Sequence, residues 1–156
     1  MRCGAGRYSG PELEQPFRYR THGGAETGGI KLHYSRHVVV ENNFIRKVGA
    51  IDPETSNVDA IWLDARNSQA NVRNNVIVET EGNSILMEAN GVGPNYIENN
   101  IVVGGLLATY SSRDTVWRYN LFVDAPGHWV NQDFGNRPTI EGAIWSNNIF
   151  ISRGVA

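Results

Sequence analysis

A chain of 156 residues has the size of a single domain. Gly and Asn number 17 each and Val plus Ile 27, against 7 Leu, a balance of turn formers and β-branched residues that excludes a helical bundle. The apolar share of 40% argues against disorder, no apolar run approaches the roughly 20 residues of a membrane-spanning helix, and a formal charge of −2 gives no basic excess toward nucleic acid.

Residues 1–29 contain Gly, Pro and Arg without periodicity and read as an irregular N-terminal segment or the remnant of a missing region. Nothing in Met1 to Pro16 combines a basic start with an apolar run, so this chain shows no signal peptide. Its compartment stays open between cytoplasm and export as part of a longer protein. Cys3 stands alone, which rules out an intrachain disulfide.

From 30 to 156 a repeat takes over. An Asn precedes a short apolar strand in Glu41-Asn42-Asn43-Phe44-Ile45, Arg73-Asn74-Asn75-Val76-Ile77, Glu98-Asn99-Asn100-Ile101-Val102, Arg118-Tyr119-Asn120-Leu121-Phe122 and Ser146-Asn147-Asn148-Ile149-Phe150. The last Asn of each lies 32, 25, 20 and 28 residues from the next, too far for a hairpin and suited to one coil of a solenoid. Each coil holds three short strands, as in Asn71-Val72-Arg73, Val76-Ile77-Val78 and Ile85-Leu86-Met87-Glu88. The predicted fold is all-β, a right-handed parallel β-helix of about five coils, incomplete at both ends and covered there by another subunit or a missing domain. Asn tolerates the left-handed backbone of a sharp corner, and stacked Asn side chains can hydrogen-bond along the axis.

Side chains alternate between the two faces of a strand, so Ile30-Lys31-Leu32-His33, Ile61-Trp62-Leu63-Asp64 and Ile85-Leu86-Met87-Glu88 align as inward, outward, inward, outward. The expected outward columns are Lys31, Trp62, Leu86, Leu107, Trp129 and His33, Asp64, Glu88, Thr109, Asn131. The stretch Gly49 to Asp59 lengthens one coil and reads as a loop over that face, with Asp52 and Asp59 as solvated loop acids. Asp64 and Glu88 then occupy matching positions on adjacent coils, roughly 5 Å apart along the backbone. Carboxyl groups about 5 to 5.5 Å apart serve retaining glycosidases, whereas about 6.5 to 9.5 Å is needed to admit the water of inversion. Two acids on a solvated sheet face, beside Arg66, are the plain structural alternative.

The segments Gly29-Ile30-Lys31-Leu32-His33, Ile61-Trp62-Leu63-Asp64, Met87-Glu88-Ala89-Asn90, Gly93-Pro94 and Glu98-Asn99-Asn100-Ile101 resemble the core of glycoside hydrolase family 120 over roughly residues 28–150. Those β-helix enzymes are retaining β-xylosidases acting on xylo-oligosaccharides. The resemblance implies Asp64 as nucleophile and Glu88 as general acid/base. The chain departs from the pattern at Ala65, where relatives commonly carry Trp, and at Gly91-Val92-Gly93-Pro94, where a His usually precedes Gly-Pro.

The expected substrate contacts are Lys31, His33, Trp62, Asn90 and Trp129, with a pyranose ring stacking on the two indoles. His22, His37 and His128 lack metal-ligand spacing, so neither a metal nor a cofactor is expected, and the partner is an oligosaccharide. Ser111 and Ser112 receive no role. A polysaccharide lyase or epimerase is a second reading, which needs more basic residues near the acids than Lys31 and Arg66. A silent carbohydrate-binding solenoid is a third.

Overall fold

The structure, a computed structural model, describes residues 7–8, 13–14, 28–49, 58–130 and 140–153. Those residues form short strands and no helix. The first coil holds β1 (Arg7–Tyr8), β2 (Leu13–Glu14) and β3 (Gly28–Leu32), and the second β4 (Val39–Glu41), β5 (Phe44–Arg46) and β6 (Asp59–Leu63). The third holds β7 (Asn71–Arg73), β8 (Val76–Val78) and β9 (Asn83–Glu88); the fourth β10 (Asn95–Glu98), β11 (Ile101–Val103) and β12 (Leu106–Tyr110). Next come β13 (Thr115–Arg118), β14 (Leu121–Val123) and β15 (Gly127–Val130), and finally β16 (Ile144–Ser146) and β17 (Ile149–Ile151).

Every strand pairs in parallel with the strand three places before or after it. Three sheets result, β1-β4-β7-β10-β13-β16, β2-β5-β8-β11-β14-β17 and β3-β6-β9-β12-β15. This is the expected parallel β-helix. Its pairing reaches further back than residue 30, because β1 and β2 pair with β4 and β5 and β3 starts at Gly28. Two strands therefore lie within the segment expected to be irregular.

The paired asparagines divide two tasks. The first residue of each pair takes the left-handed backbone that turns the corner: Asn42, Asn74, Asn99 and Asn147 have φ between 53° and 57°, with Tyr119 in the same place at 59°. The second residue points inward and relays hydrogen bonds from coil to coil. The backbone N–H and Nδ2 of Asn43 donate to Asn75 Oδ1, those of Asn75 to Asn100 Oδ1, those of Asn100 to Asn120 Oδ1 and those of Asn120 to Asn148 Oδ1, all at 2.9–3.1 Å. A second ladder runs from Ser35 through Asn67 and Asn90 to Ser112 at the next corner.

Apolar residues stack in register along the inward faces, buried through the middle coils and exposed at Phe150 in the last. The first sheet contributes Val40, Val72, Ile97, Trp117 and Trp145, the second Ile45, Ile77, Val102, Phe122 and Phe150. Toward the later coils the columns become aromatic, with Trp117 and Trp145 stacked at 4.7 Å and 5° between planes. The third sheet supplies Ile30, Ile61, Ile85 and Leu107, and beside them Leu32, Leu63 and Met87.

The three outer faces differ in chemistry. The first carries the ion pairs Glu41–Arg73 and Glu98–Arg118. The second is apolar, with Phe44, Val76, Ile101, Leu121 and Ile149 in one column. The third carries Lys31 beside Asp64, with Asp59, Glu88 and Tyr110 along the same sheet.

The relay predicts that Asn100→Ala, which leaves the two donors of Asn75 facing an apolar methyl, destabilises the fold by about 2–3 kcal/mol in urea unfolding, whereas Asn99→Ala at the exposed corner costs less than about 1 kcal/mol.

Candidate functional site

Strand β6 breaks the simple alternation that the sequence suggests. Val58, Ala60, Ile61 and Leu63 all join the interior cluster, so two consecutive residues, Ala60 and Ile61, face the core. That local irregularity turns Asp59 to the same side as Trp62, where its carboxyl group interacts with Lys31 and Glu88. Trp62 belongs to a separate outer cluster with Leu86 and Ala108, and Tyr110 packs against it.

The register of the third sheet agrees with the expected one across three coils. Lys31 pairs with Trp62 and Trp62 with Leu86, while Leu32, Leu63 and Met87 share the inward column. Asp64 and Glu88 each follow directly on the Leu63–Met87 pair. Beyond β9 the expected columns fail. Leu106 pairs with Asn83 and Leu107 with Ile85, so Ser84 is an extra residue that bulges out of the ladder. Ala108, not Leu107, follows Leu86 in the outward column, and Tyr110, not Thr109, lies opposite Glu88. Leu107 and Thr109 are buried inward. Trp129 pairs with Thr109 and so takes the register position of Leu63 and Met87 rather than that of Trp62. Asn131 lies outside the described residues, as do His22 and Asp52.

Lys31 and Asp64 form the best-defined contact. The Lys31 ammonium is 3.1 Å from Asp64 Oδ2 and 3.5 Å from the centroid of the Trp62 ring. The backbone N–H of Ala65 donates to Asp64 Oδ1 at 2.7 Å. Both oxygens thus accept from positive or polar donors. Glu88 is half-buried one coil further on.

The remaining expected contacts divide. His33 is exposed, with its ring 4.4 Å from that of Tyr34. Trp62 is only 4% exposed and Lys31 lies over its ring, so the open stacking platform expected of it is absent. Asn90 is fully buried, its Oδ1 accepting from Asn67 and its Nδ2 donating to the Leu63 carbonyl. It holds the interior ladder together instead of touching a sugar. Ser112 and Ser111, which had no role, are buried too, and Ser112 Oγ ends that ladder.

The residue missed is Asp59, read as a solvated loop acid. It is 5% exposed and opens β6, and its Oδ1 accepts from the backbone N–H and Nδ2 of Asn83 at 3.0 and 2.7 Å. Burial pushes its pKa up to about 6, Glu88 adds to the rise, and the Asn83 hydrogen bonds and Lys31 oppose it. Tyr110 is also raised, by burial first and then by the charges of Asp59 and Glu88, so its phenol stays a hydrogen-bond donor. A signal for Asp59 existed: Asp59 and Asn83 stand 24 residues apart, the same interval as Asp64 and Glu88. Among the described residues no three His, Cys, Asp or Glu side chains are grouped to hold a metal ion.

The profile of the family described as right handed beta helix region matches residues 17–122, which include Lys31, Asp59, Asp64, Glu88 and Tyr110. The chain belongs to the right-handed β-helix family. No curated protein and no solved structure matches it. Membership of the right-handed β-helix family sets the architecture, and the choice of chemistry rests with the side chains of the third sheet.

Because Asp59 binds its proton more tightly folded than unfolded, the stability it contributes is present below about pH 4 and lost as pH rises through about 6, some ~3 kcal/mol for a shift of about two pKa units. Asp59→Asn keeps an acceptor for Asn83 without the charge. It should exceed the wild type in stability at pH 7 by about 1–3 kcal/mol and flatten the dependence between pH 4 and 7, as measured by chemical denaturation across that range.

Proposed function

We propose that this β-helix is a retaining glycoside hydrolase that releases xylose-like sugars from β-linked oligosaccharides, with Asp64 as nucleophile and Glu88 as general acid/base. The observation that carries the reading is the pairing of Leu63 with Met87, directly followed by the two acids on neighbouring coils. Coils stack at roughly 4.8 Å, close to the spacing of about 5 to 5.5 Å that double displacement requires. The Lys31 ammonium and the Ala65 N–H each hold one oxygen of Asp64, which fixes the carboxyl group that acts as nucleophile.

In this mechanism Glu88, protonated, donates to the glycosidic oxygen while an Asp64 oxygen attacks the anomeric carbon and the leaving sugar departs as an alcohol. Glu88, now ionised, deprotonates water, which attacks the same carbon, releases the sugar and returns Asp64 as a carboxylate. The Tyr110 phenol, in register opposite Glu88, is the neighbouring donor for a sugar hydroxyl.

A non-catalytic carbohydrate-binding solenoid is the competing reading, favoured by the burial of Trp62 and Asn90, which removes two expected sugar contacts. A lyase or epimerase acting on a uronate is disfavoured, because Lys31 is already engaged by Asp64 and Trp62.

The hydrolase reading predicts release of the phenol from an aryl β-xyloside by the wild type and no turnover by Asp64→Ala. Glu88→Ala should lose about 10² to 10⁴ in kcat and recover part of it with azide, giving a glycosyl azide of retained configuration. Wild-type binding of xylo-oligosaccharide without cleavage would favour the binding solenoid instead.

A further inference from the structure

Among the described residues the ladders of the first two sheets run without a register shift, whereas the third slips at Ser84. A second extra residue lies just past β6. Leu32, Leu63, Met87 and Thr109 share one inward column, and Ser35, Asn67, Asn90 and Ser112 share the corner ladder that follows it. The two are three positions apart in the first, third and fourth coils and four apart in the second. The left-handed corner residue, Tyr34, Arg66, Ala89 or Ser111, always directly precedes the ladder residue, so the addition falls between Leu63 and Arg66, at Asp64-Ala65. All four backbone polar groups of this bulge are bonded. The Asp64 N–H donates to the Leu32 carbonyl, the Asp64 carbonyl accepts from Asn67 Nδ2, and the Ala65 carbonyl accepts from the Tyr34 N–H. The Ala65 N–H, which a regular parallel ladder would give to a carbonyl of an adjacent coil, turns back to Asp64 Oδ1 at 2.7 Å.

We propose that Ala65 is a positioning residue of the hydrolytic site, whose bulged backbone N–H locks the Asp64 carboxyl group and sets which of its oxygens attacks the anomeric carbon. The proposal rests on the hydrolase reading of Asp64 and Glu88. Oδ2 is held by Lys31 at the end of a flexible four-carbon stem, whereas Oδ1 is held by main chain that is itself tied at every polar group. Oδ2 is therefore the oxygen that is free to move. Its bond to the anomeric carbon forms as the bond to the leaving oxygen breaks, and that oxygen takes the Glu88 proton. Oδ1 becomes the carbonyl oxygen of the ester and stays on the Ala65 N–H. When water releases the sugar, the electron pair returns to the Asp64 carboxylate, and the fixed N–H meets the charge that redevelops there. A bulge in a ladder re-aims the side chain beside it, and here that side chain is the nucleophile.

Two measurements on the full chain decide it. The first is hydrogen exchange at the Ala65 amide, expected to be about tenfold slower in the wild type than in Asp64→Ala, which lacks the acceptor. Equal exchange in the two overturns the bulge geometry whatever the activity. The second is turnover of an aryl β-xyloside. Ala65→Gly keeps both the N–H and the residue count and should hold kcat near the wild-type value. Deleting Ala65 restores the spacing of the other coils, and Ala65→Pro keeps the count but removes the N–H. Each should lower kcat by about 10² with KM little changed, and slow covalent labelling of Asp64 by a 2-deoxy-2-fluoroxylosyl fluoride. A kcat equal to that of Ala65→Gly, or a rise in KM with kcat kept, overturns the proposal. If neither variant folds, Ala65 is a requirement of the coil and the positioning role falls. A wild type with no turnover removes the hydrolase reading and the role in turnover with it, while the exchange comparison still decides whether the bulge holds the carboxyl group.

Discussion

The whole molecule depends on one constraint: polar groups that turn inward at the corners of a coil must be satisfied by the coil above or below. Asparagine meets it because its amide both donates and accepts. Each Oδ1 in the main ladder takes two donors from the preceding coil, while the Nδ2 of the same residue also reaches a backbone carbonyl, as Asn100 does at Val72 and Asn120 at Ile97. A carboxylate could accept in such a relay but not pass it on, and a hydroxyl could end it. The second ladder obeys that logic, starting at the Ser35 backbone N–H and finishing on Ser112 Oγ. The Asp59–Asn83 contact is its shortest relative, one acceptor and one amide, with donation running from the later coil to the earlier.

Once the corners fix the stacking, the strands between them inherit their register, and register decides which side chains share a face. A single irregular residue is enough to reassign a column. Ser84 is extra relative to β12, so the fourth coil presents Ala108 and Tyr110 where a steady alternation would present Leu107 and Thr109. In β6 the paired inward residues Ala60 and Ile61 do the reverse service, turning Asp59 to the side of Trp62, where Asn83 holds its carboxyl group. The local cost is small because Ala60 is small enough to sit against the core next to Ile61.

These irregularities mark where the sequence stops being legible. The repeat of Asn43, Asn75, Asn100, Asn120 and Asn148 is visible because the ladder tolerates so few alternatives, and all five join the axial hydrogen-bond ladder expected of stacked asparagines. Ile30, Ile61 and Ile85 align correctly for the same reason, since three uninterrupted coils repeat one hydrophobic pattern. What the pattern cannot carry is a change of phase inside a strand, which leaves composition almost untouched. Nor does it carry coverage: an outward tryptophan reads as exposed, and Trp62 is buried. Asn90 was misread because a Glu-x-Asn segment suits both a sugar contact and a corner ladder, and only the Asn67 partner 23 residues away separates them.

The charge balance of the third sheet narrows what that face can accept. Asp59, Asp64 and Glu88 stand near one cation, Lys31, which is already divided between Asp64 and the Trp62 ring. A uronate brought to this wall would meet an excess of negative charge at neutral pH, with its carboxylate unpaired in a partly desolvated setting. The Arg66 guanidinium offers little relief, since the side chain is exposed and lies 5.4 Å from the Tyr34 ring. A neutral sugar would make no such demand, since hydroxyl groups can both donate and accept. Burial first, and the charge of Glu88 after it, lift Asp59 out of the ordinary carboxylate range, so the electrostatics of this face trace to the stacking of β3, β6, β9 and β12 that buries it.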